Sequence, residues 1–260
     1  MSTFLFDEIV FGPVKSRRLG VSLGINLLPV NRKICNFDCI YCECGWNSDG
    51  AGIKGTLPAR EEVFNALQER LAEMQEKNQA PDVITYAGNG EPTIHPDFPE
   101  IIDDTILLRD KYFPAAKIAV LSNATTISKP AIRTALLKID QNILKLDSAI
   151  GSTVSLQNQP GTEIDIEELI KNLEEFNGKL IIQTLFLRGT YNGLIVDNTT
   201  LEETDAWLEA LIRIKPMEVM IYTISRDTPQ GGDLKKVPDK ELREIAAKVE
   251  ALGIATQVSG

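Results

Sequence analysis

Five short segments of this chain are almost unbroken apolar runs: VITY (83–86), KIAVL (117–121), ILKL (143–146), LIIQTLFL (180–187) and VMIY (219–222). Strands covered on both faces read this way, whereas strands with one wet face alternate. Between the runs lie stretches with helical spacing. The clearest is 58–79, where Val63, Phe64, Leu67, Leu71 and Met74 share one face and Pro58 suits the first turn. The pattern predicts strands at 24–30, 82–87, 117–122, 142–147, 179–187 and 217–224, with a last short one at 254–258. Helices are predicted at 58–79, 96–112, 130–138, 201–214 and 238–252. A polar loop follows the fourth strand; Asp165 then opens another helix, with Glu168 in capping-box position and Asn177-Gly178 as its stop.

Strands that alternate with helices must lie mainly parallel and cross over right-handedly. The 260 residues, 43% of them hydrophobic, suffice for a single α/β barrel. In such barrels the loops at the C-terminal strand ends carry the site. We find no linker, low-complexity tract or repeat beyond the βα alternation, and expect one domain over 1–260: an N-terminal extension over 1–23 and a barrel over 24–260.

Charge narrows the partners. A formal net charge of −10 argues against a broad nucleic-acid face. The segment before Cys35 is the exception, with Lys15, Arg17, Arg18, Arg32 and Lys33 against Asp7 and Glu8. It could attract an anionic substrate, or be a solvated arm with internal ion pairs. No run approaches the roughly 18 apolar residues of a membrane span, and no signal-peptide pattern opens the chain. A cytoplasmic protein with reduced thiols is expected.

The chemistry concentrates in Cys35-Asn36-Phe37-Asp38-Cys39-Ile40-Tyr41-Cys42, three of the four cysteines within eight residues. Thiolates at these intervals can bind three irons of a [4Fe–4S] cube and leave the fourth open. A structural zinc site, the bland alternative, ordinarily uses paired cysteines or histidines; no second pair exists and His95 is the sole histidine. A plain electron carrier would need Cys44 as fourth ligand, two residues after Cys42, where a free thiol packed near the site is the simpler reading.

This spacing, with an aromatic before the last cysteine, resembles the signature of the radical S-adenosylmethionine (radical SAM) enzymes. Gly88-Asn89-Gly90-Glu91-Pro92 is similar to that family's Gly-Gly-Glu motif. The resemblance implies an open, partial (β/α)6 TIM-like barrel and two cofactors, a [4Fe–4S] cluster on Cys35, Cys39 and Cys42 and SAM on its open iron. An external one-electron reductant of flavodoxin or ferredoxin type is implied as partner. Reductive cleavage of SAM would give a 5′-deoxyadenosyl radical that abstracts hydrogen from a substrate.

By the same resemblance, the backbone at Gly88, Asn89 and Gly90 lies against SAM's methionine and Glu91 contacts its amino group. Tyr41 lies against adenine, or is a core aromatic. Ser122, Asn123, Asp147 and Ser148 end the third and fourth strands, where ribose and carboxylate contacts are common. Gln183 and Arg188 belong to the fifth, where a guanidinium could clamp the carboxylate. Polar residues at strand ends are equally often loop anchors. His95 reads as a helix-entry residue and Lys145 as a partner-paired or outward lysine, with a Schiff base the sharper alternative.

Phe11 to Ile25 and Gln183 to Gly189 resemble a subgroup of iron–sulfur oxidoreductases related to wyosine-type tRNA base synthases. Those synthases carry a second cluster that four cysteines cannot supply, and the acidic balance gives tRNA docking little support. A SAM- or redox-responsive binding protein that keeps the cluster without turnover is the alternative from another class.

Overall fold

The computed structural model describes residues 4–16, 18–225, 228 and 233–260. Of the 1–23 segment, residues 1–3 and Arg17 lie outside the described set. Seven strands run parallel in the order β2 (Gly20–Ile25), β3 (Val83–Tyr86), β4 (Lys117–Ser122), β5 (Gln141–Lys145), β6 (Ile181–Tyr191), β8 (Glu218–Thr223), β10 (Ala255–Ser259). β1 (Val10–Ser16) adds antiparallel to the β2 edge, and β7 (Leu194–Asp197) and β9 (Leu234–Lys236) flank the end of β6. Among the described residues no ladder joins the β1 and β10 edges, so the sheet is an open partial barrel. Across the gap Gln257 Nε2 donates to the Arg18 carbonyl at 3.1 Å.

The helices are α1 (Arg60–Glu76), α2 (Phe98–Tyr112), α3 (Pro130–Leu136), α4 (Gly151–Asn158), α5 (Ile166–Glu174), α6 (Leu201–Ile214) and α7 (Asp239–Glu250). α1 buries Val63, Leu67, Leu71 and Met74, the stripe expected from its spacing. Asp165 caps α5 by accepting the Glu167 and Glu168 amides, and Asn177 and Gly178 follow with positive φ. Among the described residues no helix is long and apolar enough to cross a membrane.

Three parts depart from expectation. The apolar run 24–30 is mostly loop: the strand begins at Gly20, four residues inside the expected extension, because Val10–Ser16 pairs with it as a hairpin. The polar loop after β5 contains α4, whose apolar face is too short to read in sequence. β6 outruns its barrel length and curls into β7.

Side chains alternate across each strand, so every second residue points into the barrel. Val83, Ala119, Ile143, Ile181 and Met220, one from each of five neighbouring strands, form an apolar plug inside. Two residues further along their strands, Leu121, Lys145, Gln183 and Tyr222 line a cavity above it. The larger core packs the opposite faces of the strands against the helices, with Ile84, Val120, Leu144, Ile182 and Ile221 fully enclosed. A rigid apolar sheet thus carries a short polar layer towards the C-terminal ends of its strands.

Candidate active site

The segment between β2 and α1 carries all four cysteines, and its shape comes from its own polar side chains. Asn47 Oδ1 accepts the Cys35 N–H at 2.9 Å, while its amide donates to the Cys35 carbonyl at 2.9 Å and to Asp38 Oδ1 at 3.0 Å. Lys33, 2% exposed, donates to Asp38 Oδ1 at 3.0 Å and to the Gly45 carbonyl at 2.9 Å. The end of α4 holds the far side: Ile40 N–H donates to the Gln157 carbonyl at 3.0 Å and Asp38 N–H to that of Asn158 at 3.1 Å. The cysteine loop is therefore pinned at both ends.

The glycine turn after β3 is fastened to the same loop. Ile34 N–H donates to the Asn89 carbonyl at 2.9 Å, and Glu91 N–H to the Ile34 carbonyl at 3.1 Å. Gly90 has φ +139°, and a Cβ there would sit 1.8 Å from the Ile34 oxygen. One at Gly88 would meet Asn26 Oδ1 at 2.5 Å. Glycine is thus required by the chain's own close approach, whatever ligand the turn faces.

Together these segments border a cavity of about 330 Å³ at the barrel mouth. Cys35, Cys39, Cys42 and Cys44 line one side of it; Gly88, Gly90 and Glu91 line another; Ser122, Asn123, Lys145 and Gln183 close it from the strands, beside Tyr41. Ten of the fourteen residues singled out as cluster or cofactor contacts meet here.

Donors point at the sulfurs. Cys35 Sγ accepts from the Phe37 amide at 3.4 Å and from Asn123 Nδ2 at 3.6 Å, and Cys39 Sγ from Asn158 Nδ2 at 3.4 Å. Burial pushes the Cys35 and Cys39 thiols up. Cys42 goes the other way: its hydrogen bond with Cys44 outweighs burial, Lys33 adds to it, and the thiol is held down at about 6. Cys44 is correspondingly raised and donates to the Gly88 carbonyl at 3.5 Å. Burial alone pulls the Lys33 ammonium down, but the negative charge available at Cys42, Cys35, Cys39 and Asp38 exceeds that effect and holds it above its usual value.

Beneath the thiols lies a buried polar cluster. Tyr41 hydroxyl bonds Asp147 Oδ2, Lys145 Nζ donates to Tyr41 at 2.8 Å and Tyr222 at 3.4 Å, and Asn158 Nδ2 donates to Asp147 Oδ2 at 2.7 Å. Burial pulls the Lys145 ammonium down, but Asp147, Tyr222 and Cys39 together outweigh it and hold the group above its usual value, so it stays a cation. Burial and Asp147 both push the Tyr41 phenol well up. Lys145 is thus paired, as its safer reading held, yet it lines the cavity because odd-numbered residues of β5 face inward.

The Asn89 side chain is buried away from the cavity, where it binds the Phe6 amide and the Phe6 and Pro29 carbonyls, so its expected contact falls to the backbone. Three expected ligand contacts are corrected. Asp147 lies below the floor, spent on Tyr41, Asn158 and the Leu185 amide at 2.9 Å. Ser148 donates to Glu203 at 2.6 Å. Arg188 has the parity of Ile182 and Phe186 on β6, which puts it on the outer side, bound to Glu241 and Thr199.

Glu91 lines the cavity, but its carboxylate serves the chain itself. Oε1 accepts the Thr93 amide at 3.0 Å and hydroxyl at 2.6 Å, and Oε2 the Asn123 amide at 2.6 Å. His95 is the buried helix-entry residue expected: Nε2 lies 2.8 Å from the Pro58 carbonyl, and Nδ1 accepts the Asp97 amide at 3.1 Å. Sequence reasoning missed Asn47, Asn158 and Tyr222. Asn47 and Asn158 sit in loops or a helix with no pattern of their own, and only the alternation Met220, Tyr222 on β8 hinted at the third.

The fold and this constellation define a class. The model of the Radical SAM superfamily matches residues 33–177, more than half of the sequence, and the chain belongs to that superfamily. Among curated relatives, a protein named GTPase Obg from Brachyspira hyodysenteriae is 30% identical over 246 residues, 93% of this chain and 33% of its own. A UPF0026 protein of Methanocaldococcus jannaschii is 30% identical over 183 residues, 69% of this chain and 54% of its own. The chain therefore spans between a third and about half of these two. A UPF0026 protein of Synechocystis is 31% identical over 234 residues, 87% of this chain and 79% of its own.

Solved structures agree on the fold. A radical SAM methyltransferase from Sphaerobacter thermophilus superposes with TM-score 0.64 at 11% identity, covering 92% of this chain and 65% of that one. SuiB of Streptococcus suis bound to S-adenosylmethionine gives 0.62 at 16%, covering 88% and 49%. Archaeal TYW1 gives 0.52 at 14%, covering 88% and 71%.

Proposed function

We propose that this chain is a radical SAM enzyme in which Cys35, Cys39 and Cys42 hold a [4Fe–4S] cluster, one iron being left for S-adenosylmethionine at the barrel mouth. The observation that carries this reading is the meeting of three thiols and the Gly88–Glu91 turn on one cavity. The donor set fits the cluster. Amides aimed at two of the sulfurs are the kind of contact that tunes such centres. Among the described residues no three His, Cys, Asp or Glu side chains gather as ligands of one ion; a cube takes each thiolate on a different iron.

When bound, the cluster and cofactor supply one-electron cleavage of the sulfonium and removal of a hydrogen atom from a substrate. The chain's own groups do the rest. Lys33 offsets the charge of the thiolates from beneath the loop. Phe37, Asn123 and Asn158 orient the Cys35 and Cys39 sulfurs, while the Gly88–Gly90 backbone, Ser122 and Gln183 offer polar edges to the cofactor. Lys145 and Tyr41 floor the cavity. The electron is assigned to an external flavodoxin- or ferredoxin-like donor.

The test is anaerobic: reconstitution with iron and sulfide, reduction, addition of SAM, and chromatography for 5′-deoxyadenosine. Formation of that product supports the reading; a reducible cluster that binds SAM and releases none, across small anions, peptides and RNA as added substrates, overturns it.

Two residues around the thiols carry their own expectations. Asn158→Ala removes the donor to Cys39 Sγ and to Asp147. The loaded protein is expected to lose about 1–3 kcal/mol of stability. Its cluster potential should fall by on the order of 40 mV for a lost bond of roughly 1 kcal/mol, read by redox titration. An unmoved potential would dismiss the sulfur contact. Glu91→Ala strands three donors and frees Asn123, so it is expected to lower the unfolding free energy by about 1–3 kcal/mol and to weaken SAM binding only as Asn123 shifts. Chemical denaturation beside SAM titration separates the two, and full stability with lost SAM binding would restore a direct ligand role.

A further inference from the structure

The cavity wall opposite the cysteines holds a group that the proposed function does not use. Arg18 comes from the turn between β1 and β2, at the open edge of the barrel, and enters the interior with its guanidinium carbon 4.6 Å from the centroid of the Tyr222 ring. Its carbonyl is fixed by Gln257 across the gap, and its amide donates to Ser16 Oγ at 3.3 Å. It lines both the mouth cavity and a second cavity at the base, beside Asp82 and Lys117, so it stands between them.

Among the described residues its Nη1 is buried and has no hydrogen-bond partner. No ion pair to Arg18 exists among the described residues. A buried guanidinium N–H left without a partner is costly, and such groups call for a specific cause. The neighbouring cation is different: Lys145 is already committed to Tyr41, Tyr222 and Asp147. Arg18 is therefore the cation on this wall with donors to spare.

We infer that Arg18 is a substrate-binding residue that recognises an oxyanion, a carboxylate or phosphate group, of a small substrate held between Tyr222 and the thiol side of the mouth. The substrate role rests on the proposed function; the anion site itself does not. A planar guanidinium presents paired donors matched to such groups, and stacking on Tyr222 holds the fork while leaving its edge free. In a chain of net charge −10 the long side chain brings to the barrel mouth a positive group that, unlike Lys33 and Lys145, is not already spent on the chain's own acceptors. This is one residue of the basic segment before the cysteines, and the fold turns it inward rather than leaving it on a solvated arm.

The experiment titrates anaerobic, reconstituted protein with inorganic phosphate and with succinate by calorimetry, ionic strength held with sodium chloride. Saturable one-site binding of at least one is expected, weakened by about tenfold or more in Arg18→Gln and less in Arg18→Lys, which keeps charge without the fork. No saturable binding to wild type, or equal affinity in Arg18→Gln, overturns the inference. SAM affinity is measured on the same variants and is expected to stay within about threefold. A tenfold fall in SAM affinity with phosphate competing against SAM assigns Arg18 to the cofactor's carboxylate and equally overturns a substrate role. Iron content is read on every sample: a chain that takes up no iron yet binds phosphate through Arg18 defeats the proposed function and leaves the anion site standing.

Discussion

Cys39→Ala is expected to drop the iron content of anaerobically reconstituted protein from about four per chain to well below one, with no 5′-deoxyadenosine formed. Cys39 is 7% exposed, the most enclosed of the three proposed ligands, and its sulfur is oriented by Asn158. Removing it opens a gap that neither water nor Asn158 can close as an iron ligand. Cys44→Ala is the matching control. Its thiol lines the same cavity but is turned to the Gly88 carbonyl, so iron and product are expected to persist. Iron and sulfide analysis of the two variants decides the ligand set. If Cys44→Ala empties the site and Cys39→Ala does not, the assignment of ligands is wrong.

Gly90→Ala is expected to be as damaging, for a backbone reason. The new methyl would occupy the space of the Ile34 carbonyl oxygen, 1.8 Å away, at a φ of +139° that L side chains rarely adopt. Strain of this kind costs on the order of 1–3 kcal/mol, and overpacking adds a similar amount. Relief means pulling the turn away from the cysteine loop and breaking the pair of bonds that Ile34 makes with Asn89 and Glu91. The expected result is a melting point lower by several degrees and iron uptake below half, measured together. Gly52→Ala makes a fair comparison, since its φ is also positive but nothing lies within 4 Å. Equal losses at both sites would mean that φ alone, not the contact with the cysteine loop, makes Gly90 necessary.

Particular residues explain how far reading the chain could go. The strand of Lys117–Ser122 and the helix of Leu201–Ile214 fall where their patterns end, because local hydrophobic period and burial agree there. The run 24–30 misled because apolarity can bury a loop as well as a strand; Leu27 and Leu28 are enclosed outside any ladder. α4 escaped because eight residues with polar neighbours show no period, yet it delivers Asn158 to Cys39. Arg188 was misplaced by one step of strand parity, although Gln183 on the same strand was not.

The sequence by itself determined the class of fold and the chemistry on offer, since apolar period sets the βα order and cysteine spacing is a local property of one loop. Tertiary structure alone decided which polar groups face the cavity and which are spent holding it. Asn89, Asp147 and Glu91 satisfy the chain's own donors, while Lys33, Asn158 and Arg18 reach the site from loop, helix and barrel edge. Those partners lie far apart along the chain, 119 residues in the case of Asn158 and Cys39. Whether a buried polar atom is satisfied depends on neighbours that only the closed fold brings within hydrogen-bond distance.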